Sequence, residues 1–167
     1  RLQRRAAGLQ ARMRGAQLVG RLLAHQRGRD VVGHEGEQRE LFLAQVRGVA
    51  EMLPASSMHA INLCEDRYRF LVAFCAVAMR GQVNLLPPSR APAAVDEAIA
   101  QHPDSYCIGD ADLDPAPARY LRLPDELPQR IGDVPMIEDD ALVAIGYTSG
   151  STGRPQANEK TWGSFRR

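Results

Sequence analysis

Apolar positions along the chain change their period near residue 60. Before it the spacing is helical. Phe42, Val46, Val49 and Leu53 recur at i, i+4, i+7 and i+11, one face of a helix that Pro54 closes. Nearer the start, Leu2, Ala6, Leu9, Met13, Ala16 and Leu23 also share a helical stripe, with Arg1, Arg4, Arg5, Arg12 and Arg14 elsewhere on the wheel. Gly8, Gly15 and Gly20 weaken that stripe, each costing about 1 kcal/mol relative to Ala in a helix interior. This stretch reads as a solvated leader or a poorly ordered extension.

From residue 60 onward, short apolar runs alternate with helical segments. Residues 60–64 read as a strand, 67–80 as a largely apolar helix with Gly81 at its end, and 83–86 as a strand stopped by Pro87 and Pro88. Pro92 opens a helix to about residue 101, where its missing N–H is harmless, and 105–108 form a third strand. Strand, helix, strand, helix, strand with short connections predicts parallel pairing through right-handed crossovers. The helix at 67–80 is apolar nearly all round, so it is expected between the sheet and another layer. The run at 62–68 ends a strand and starts that helix, with Asp66 as candidate cap and Glu65 or Arg67 in surface pairs. Residues 109–140 read as a Pro- and Asp-rich connection, 141–147 as one more apolar strand, and the segment around Trp162 as the opening of a helix. The expected class is α/β, a mainly parallel sheet flanked by helices.

A chain of 167 residues suffices for one domain with a core. Its longest apolar stretch, 70–79, is about half of what a bilayer span requires. With no cleavable signal visible, a cytoplasmic location is expected. Cys64, Cys75 and Cys107 are odd in number and far apart, so reduced and mostly buried thiols are expected, not a disulfide framework or a zinc site.

Net charge of +1 conceals an asymmetry: of 21 Lys and Arg, eight lie in residues 1–29 with no acid, leaving 13 against 20 acids and −7 for the remainder. That disfavours a nucleic-acid binder over the whole chain. A nucleic-acid or membrane contact by residues 1–29 is the weaker reading of that segment. The chain lacks an initiating Met and stops at Arg167, so a fragment of a longer product is expected. Asp112, Asp114, Asp133, Asp139 and Asp140 lack the regular spacing and closing Glu of a calcium loop, and read as turn-forming, solvated acids.

The segment after the strand at 141–147 carries the chemistry. In Thr148, Ser149, Gly150, Ser151, Thr152 and Gly153, small residues alternate with hydroxyls. Two glycines let the backbone adopt positive φ and turn successive N–H groups to one side, which makes a concave anion site. The four hydroxyls add donors for phosphate oxygens. Composition alone leaves this open against a flexible polar connection. No Gly-x-x-x-x-Gly-Lys-Ser/Thr run exists, and Gly146-Tyr147-Thr148-Ser149-Gly150 places Ser one position late for an esterase elbow.

The run from Tyr147 through Thr148, Ser149, Gly150, Ser151, Thr152, Gly153 and Arg154 to Pro155 resembles the signature of the adenylate-forming (AMP-binding) superfamily, which includes acyl- and aryl-CoA synthetases. It matches every position through Pro155 but carries Gln156 where the family has Lys. Residues 61–68, 81–88, Pro155-Gln156 and 160–163 are similar to the AMP-ligase branch associated with xanthomonadin-type aryl-polyene pigments, in which a Gln also follows the Pro. The resemblance covers roughly residues 30–167, a partial AMP-binding domain ending just after the phosphate loop. Residues 1–29 form a separate Arg-rich segment.

This resemblance implies a reaction that joins a carboxylate to the α-phosphate of ATP, releases pyrophosphate and passes the acyl-adenylate to a thiol, either CoA or a carrier protein. Thr148 to Gly153, with Gln156 and Lys160, are then the phosphate-binding residues, and ATP and magnesium the implied cofactors. A neutral amide at Gln156 makes a hydrogen bond roughly half as strong as a charge-assisted one, so Lys160 or Arg154 is expected to supply the charge. Trp162 and Tyr147 read as packing residues. No catalytic residue is expected within the chain, because the family's remaining motifs lie beyond residue 167. The alternative is a non-catalytic remnant or anion-binding module.

Overall fold

The structure, a computed structural model, describes residues 35–149 and 155–166; the basic stripe at 1–24 lies outside them. It begins with α1 (Glu35–Met52), which carries Phe42, Val46 and Val49 into the core on the stripe expected from their spacing. There follow β1 (His59–Asn62), α2 (Arg67–Met79), β2 (Val83–Leu86), α3 (Pro92–Gln101) and β3 (Tyr106–Gly109). Each falls within a residue or two of its expected bounds. β4 (Tyr120–Arg122), β5 (Leu142–Ser149), β6 (Pro155–Thr161) and a 3₁₀ turn at Trp162–Arg166 complete the chain.

The six strands form one sheet in the order β4-β3-β1-β2-β5-β6. β1 pairs parallel with both β2 and β3, β2 with β5, and β3 with β4; β6 alone is antiparallel, on β5. The parallel arrangement follows from the crossovers, since α2 and α3 each return the chain to the starting edge before the next strand. Two expectations are corrected. Residues 109–140 contain β4, and residues 155–161 are a strand, the turn at Trp162 being a short 3₁₀ segment.

Alternation along the strands sorts the core onto two faces. Ala60, Tyr106 and Ile108 meet α1 and α2, whereas Ile61, Leu85, Cys107 and Ile145 meet Val95 and Ala98 of α3. A third cluster joins Phe74 and Ala78 of α2 to Val143 and Ala144 of β5, with Trp162 packed against it. α2 is buried as its composition requires. Asp66 caps it by accepting from the N–H of Arg69 at 2.9 Å. At its far end Gly81 follows Arg80 with φ +69, the left-handed position that a side chain resists.

Buried polar side chains serve the backbone. Gln82, 3% exposed, donates to the carbonyls of Pro54 at 2.7 Å and Ser57 at 2.8 Å and accepts from the Tyr106 hydroxyl at 2.9 Å. Asn84 donates to the carbonyls of Phe74 at 3.2 Å and Val143 at 3.1 Å. The pairing of β5 with β6 slips there: Leu142 opposes Thr161 while Ala144 opposes Lys160, which makes Val143 the extra residue of a bulge. Asn84 therefore stitches α2, β2 and the bulge together.

Replacing Gln82 with Ala strands a buried hydroxyl and two carbonyls, and urea unfolding should show a loss of about 3 kcal/mol. A loss within the range of an exposed substitution would show that this network contributes little.

Candidate functional site

β5 runs parallel to β1, β2 and β3, so its last residues emerge at the edge where those three strands also end. β6 then returns along it in matched register: Ser149 opposes Pro155, Thr148 opposes Gln156, and Tyr147 opposes Ala157. The residues 150–154 thus leave and re-enter the ladder at one pair of positions, whose Cα atoms are about 5 Å apart in an antiparallel ladder. A loop whose ends are already held together loses little further entropy on closing. The site expectation for Gly150, Ser151, Thr152 and Gly153, and the charge expectation for Arg154, lie outside the described residues.

Gln156 is exposed and sits at the start of β6, one residue beyond the loop. Lys160, the chain's single lysine, opposes Ala144 four residues farther on. Four strand residues span about 13 Å, so β6 carries the lysine away from the loop and down the sheet. The structure brings Thr148, Ser149 and Gln156 together at the hairpin by backbone position and places Lys160 apart from them. Tyr147 is core, packed with Ile145 and Val95, and its buried hydroxyl has no partner among the described residues.

In parallel α/β sheets ligands bind outside the carboxyl ends of the strands, at the point where strand order reverses. Here that point lies between β1 and β3, since β2 was laid down on one side of β1 and β3 on the other. Asp110, one residue past β3, occupies it. Its carboxylate accepts from the N–H of Glu65 and of Asp66, both at 2.9 Å. Burial opposes its charge, but the N–H groups of Glu65, Asp66 and Asp110 itself, together with the Arg69 charge, outweigh the burial and hold Asp110 below the usual carboxylate range. The donors an external anion would use are satisfied internally. Gly109 is tight for a related reason: a Cβ there would meet the Tyr120 hydroxyl at 2.4 Å, and that hydroxyl donates to the carbonyl of Ala111 at 2.6 Å.

Sequence reasoning missed Asp110; its only signal was an acid directly after the strand at 105–108. The expected surface pairs at Glu65 and Arg67 are not formed among the described residues, and Arg69 instead donates to the carbonyls of Pro124 and Asp125. Cys64 lies at the same edge and is fully buried. Burial, aided by Asp110, pushes its thiol up to about 12, and burial pushes Cys75 to about 12 and Cys107 to about 11. Among the described residues no cluster of three or more His, Cys, Asp or Glu could hold a metal ion, and no helix is long and apolar enough to cross a membrane.

With this geometry in place, solved structures can be compared. The N-terminal subdomain of NpsA from Klebsiella oxytoca superposes with a TM-score of 0.58 at 21% identity, over 77% of this chain and 35% of that one. O-succinylbenzoate coenzyme A synthetase (MenE) from Bacillus subtilis, in complex with AMP, gives 0.58 at 18% identity, over 77% and 36%. MatB from Rhodopseudomonas palustris gives 0.58 at 19%, over 72% and 28%. The fold is shared. NpsA has also been solved with 3-hydroxybenzoyl-AMSN and MenE with the acyl-adenylate intermediate OSB-AMP. The chain spans about a third of the length of these proteins. No family model and no curated protein matches it.

Asp110→Asn tests the internal anion. A carboxyl held below its unfolded pKa stabilises the fold above that value and loses its contribution as pH falls through the folded one. The variant should be less stable than the parent near neutrality by about 1–2 kcal/mol and should lose less on acidification below about pH 4. Equal acid sensitivity of the two proteins in urea titrations would contradict the assignment.

Proposed function

We propose that this chain is the phosphate-binding part of an ATP-dependent acyl or aryl AMP-ligase, of the acyl-CoA synthetase type, that activates a carboxylic acid as its adenylate. The observation that carries this reading is the hairpin: a run from Tyr147 to Pro155 that matches the superfamily signature, held at the carboxyl edge of a sheet whose fold is shared with MenE and NpsA. On this reading residues 30–167 are a partial AMP-binding domain, residues 1–29 an Arg-rich extension, and the kinship is with the xanthomonadin-type branch, where Gln replaces Lys after the Pro. A cytoplasmic setting, with ATP and a thiol acceptor such as CoA or a carrier protein at hand, suits the free thiols of the fold.

The roles divide by position. Backbone N–H groups and hydroxyls of Thr148, Ser149, Gly150, Ser151, Thr152 and Gly153 hold the β- and γ-phosphates and then the departing pyrophosphate. Gln156, opposite Thr148, adds a neutral amide donor at the mouth of the loop. Arg154 adjoins the loop in sequence and Lys160 lies farther along β6, so Arg154 is the first candidate for the cation and Lys160 the second. Magnesium would be carried on the phosphate oxygens of the nucleotide. Holding phosphate binds substrate and transition state almost equally, so these residues alone do not drive the chemical step.

Pyrophosphate exchange with ATP, across a broad panel of carboxylic acids, tests the reading on the 167-residue chain and on the longest natural product containing it. Exchange is expected from the longer product and not from residues 1–167 alone. Gly150→Val should reduce exchange at least tenfold by blocking the required backbone turn, and Ser149→Ala should reduce it less, by one lost donor. Absence of exchange from the longer product, with pyrophosphate binding retained, would leave a non-catalytic anion-binding module in place of the enzyme.

A further inference from the structure

Three titratable side chains meet at the edge of the sheet opposite the hairpin. β1 begins with His59, His102 caps the end of α3, and Asp104 lies in the turn that leads into β3. Both carboxylate oxygens of Asp104 face Nδ1 of His59, at 3.1 and 3.2 Å, and Oδ2 also accepts from the N–H of Met58 at 3.0 Å. An ionised carboxylate only accepts, so His59 carries a proton on Nδ1 and donates it. The ring of His102 lies against that of His59 with centroids 4.3 Å apart, and it has no hydrogen bond of its own among the described residues.

The rest of the corner is thinly bonded. Arg119 donates to the backbone carbonyl of Asp104 at 3.3 Å, and Ser105 N–H donates to the carbonyl of His102 at 2.9 Å. The Ser105 hydroxyl is buried and has no partner among the described residues. Through Met58, whose carbonyl accepts from Val83 N–H at 2.8 Å, the same corner holds the start of β2. Three strands and the end of α3 therefore meet at a place with one carboxylate, two imidazoles and one guanidinium that serves only the backbone.

We propose that His59, His102 and Asp104 form a proton-sensitive clasp, closed while at most one imidazole is charged and loosened when acidification charges both. Two imidazolium rings in contact repel, and one carboxylate already shared between His59 and Met58 cannot neutralise both. Burial pulls the His102 pKa down, a charge on His59 pulls it further, and Asp104 offsets only part of that. A histidine held below its ordinary value stabilises the fold while neutral. Its contribution is intact above the unfolded value of 6.5 and drains away as pH falls below it. Asp104 is held below its own ordinary value of 3.8, chiefly by Met58 N–H and, against burial, by His59, so it stays charged through the histidine window.

Amide hydrogen exchange on the 167-residue chain, corrected for intrinsic rates, reads this directly at about pH 7.5 and about pH 5.5, either side of the imidazole range. The amides of Met58, Val83 and Ser105 should lose protection several-fold on acidification, while those of the α2 core at Val72 and Val77 keep theirs. His102→Gln and, separately, His59→Gln should each abolish that selective loss, since neither can place two charges in contact. Imidazole titrations by NMR should show His102 shifting upward in pKa when His59 is replaced by Gln. Unchanged protection at the corner in the parent, a loss that persists in both variants, or a His102 titration indifferent to His59 would each overturn the clasp.

Discussion

β5 is hydrogen-bonded on both sides, and the arrangement of the C-terminal part of the chain follows from that. On one side Ala144, Ile145 and Gly146 pair parallel with Asn84, Leu85 and Leu86; on the other the strand carries β6 antiparallel from Leu142 to Ser149. A strand so held has no freedom to slide, because a one-residue slip would turn Ile145 and Tyr147 out of the α3 face. The positions at which the polypeptide leaves and rejoins the sheet around residues 150–154 are consequently set by the ladder. The β5–β6 pairing is interrupted by the bulge at Val143, and Asn84 bridges it to α2.

Around this strand the fold separates its polar work by edge. At the carboxyl edge, Asp110 and Asp66 satisfy the N–H groups at the start of α2. At the opposite edge, charge is gathered in the pair of imidazoles with Asp104, and Gln82 with Tyr106 closes the α1–β1 connection beside it. In the interior, Asn62 does for the end of β1 what Asn84 does for β5, donating to the carbonyl of Phe70 at 2.9 Å and accepting from Cys64 N–H at 3.1 Å. Buried amides of this kind hold backbone groups that the parallel ladder does not reach.

Much of this was legible because β1, β2, β3 and β5 are buried on both faces and so appear as short, continuous apolar runs between helix signals. β4 was hidden by its length and by the prolines around it: Tyr120, Leu121 and Arg122 give no alternation to read. β6 was hidden by its polarity. Residues 156–160 are exposed, and a strand carrying Gln, Asn, Glu and Lys at a sheet edge is shaped to stay unpaired with other chains, not to advertise a core. Lys160 lies about 13 Å along β6 from Gln156, because residues close in sequence are carried apart once the intervening chain is extended. Asp110 and the histidine cluster depend on contacts 44 or 45 residues apart, which local pattern does not carry.

The proposed anion site lies at the β5–β6 hairpin and not at the reversal of strand order between β1 and β3. Titrating inorganic pyrophosphate into the ¹⁵N-labelled chain, and following each backbone amide by NMR, separates the two places in one experiment. Saturable shifts at residues 148–153, with Glu65 and Asp66 unmoved, are the predicted result. Shifts centred on Glu65 and Asp66, or none at the hairpin at millimolar pyrophosphate, would contradict it.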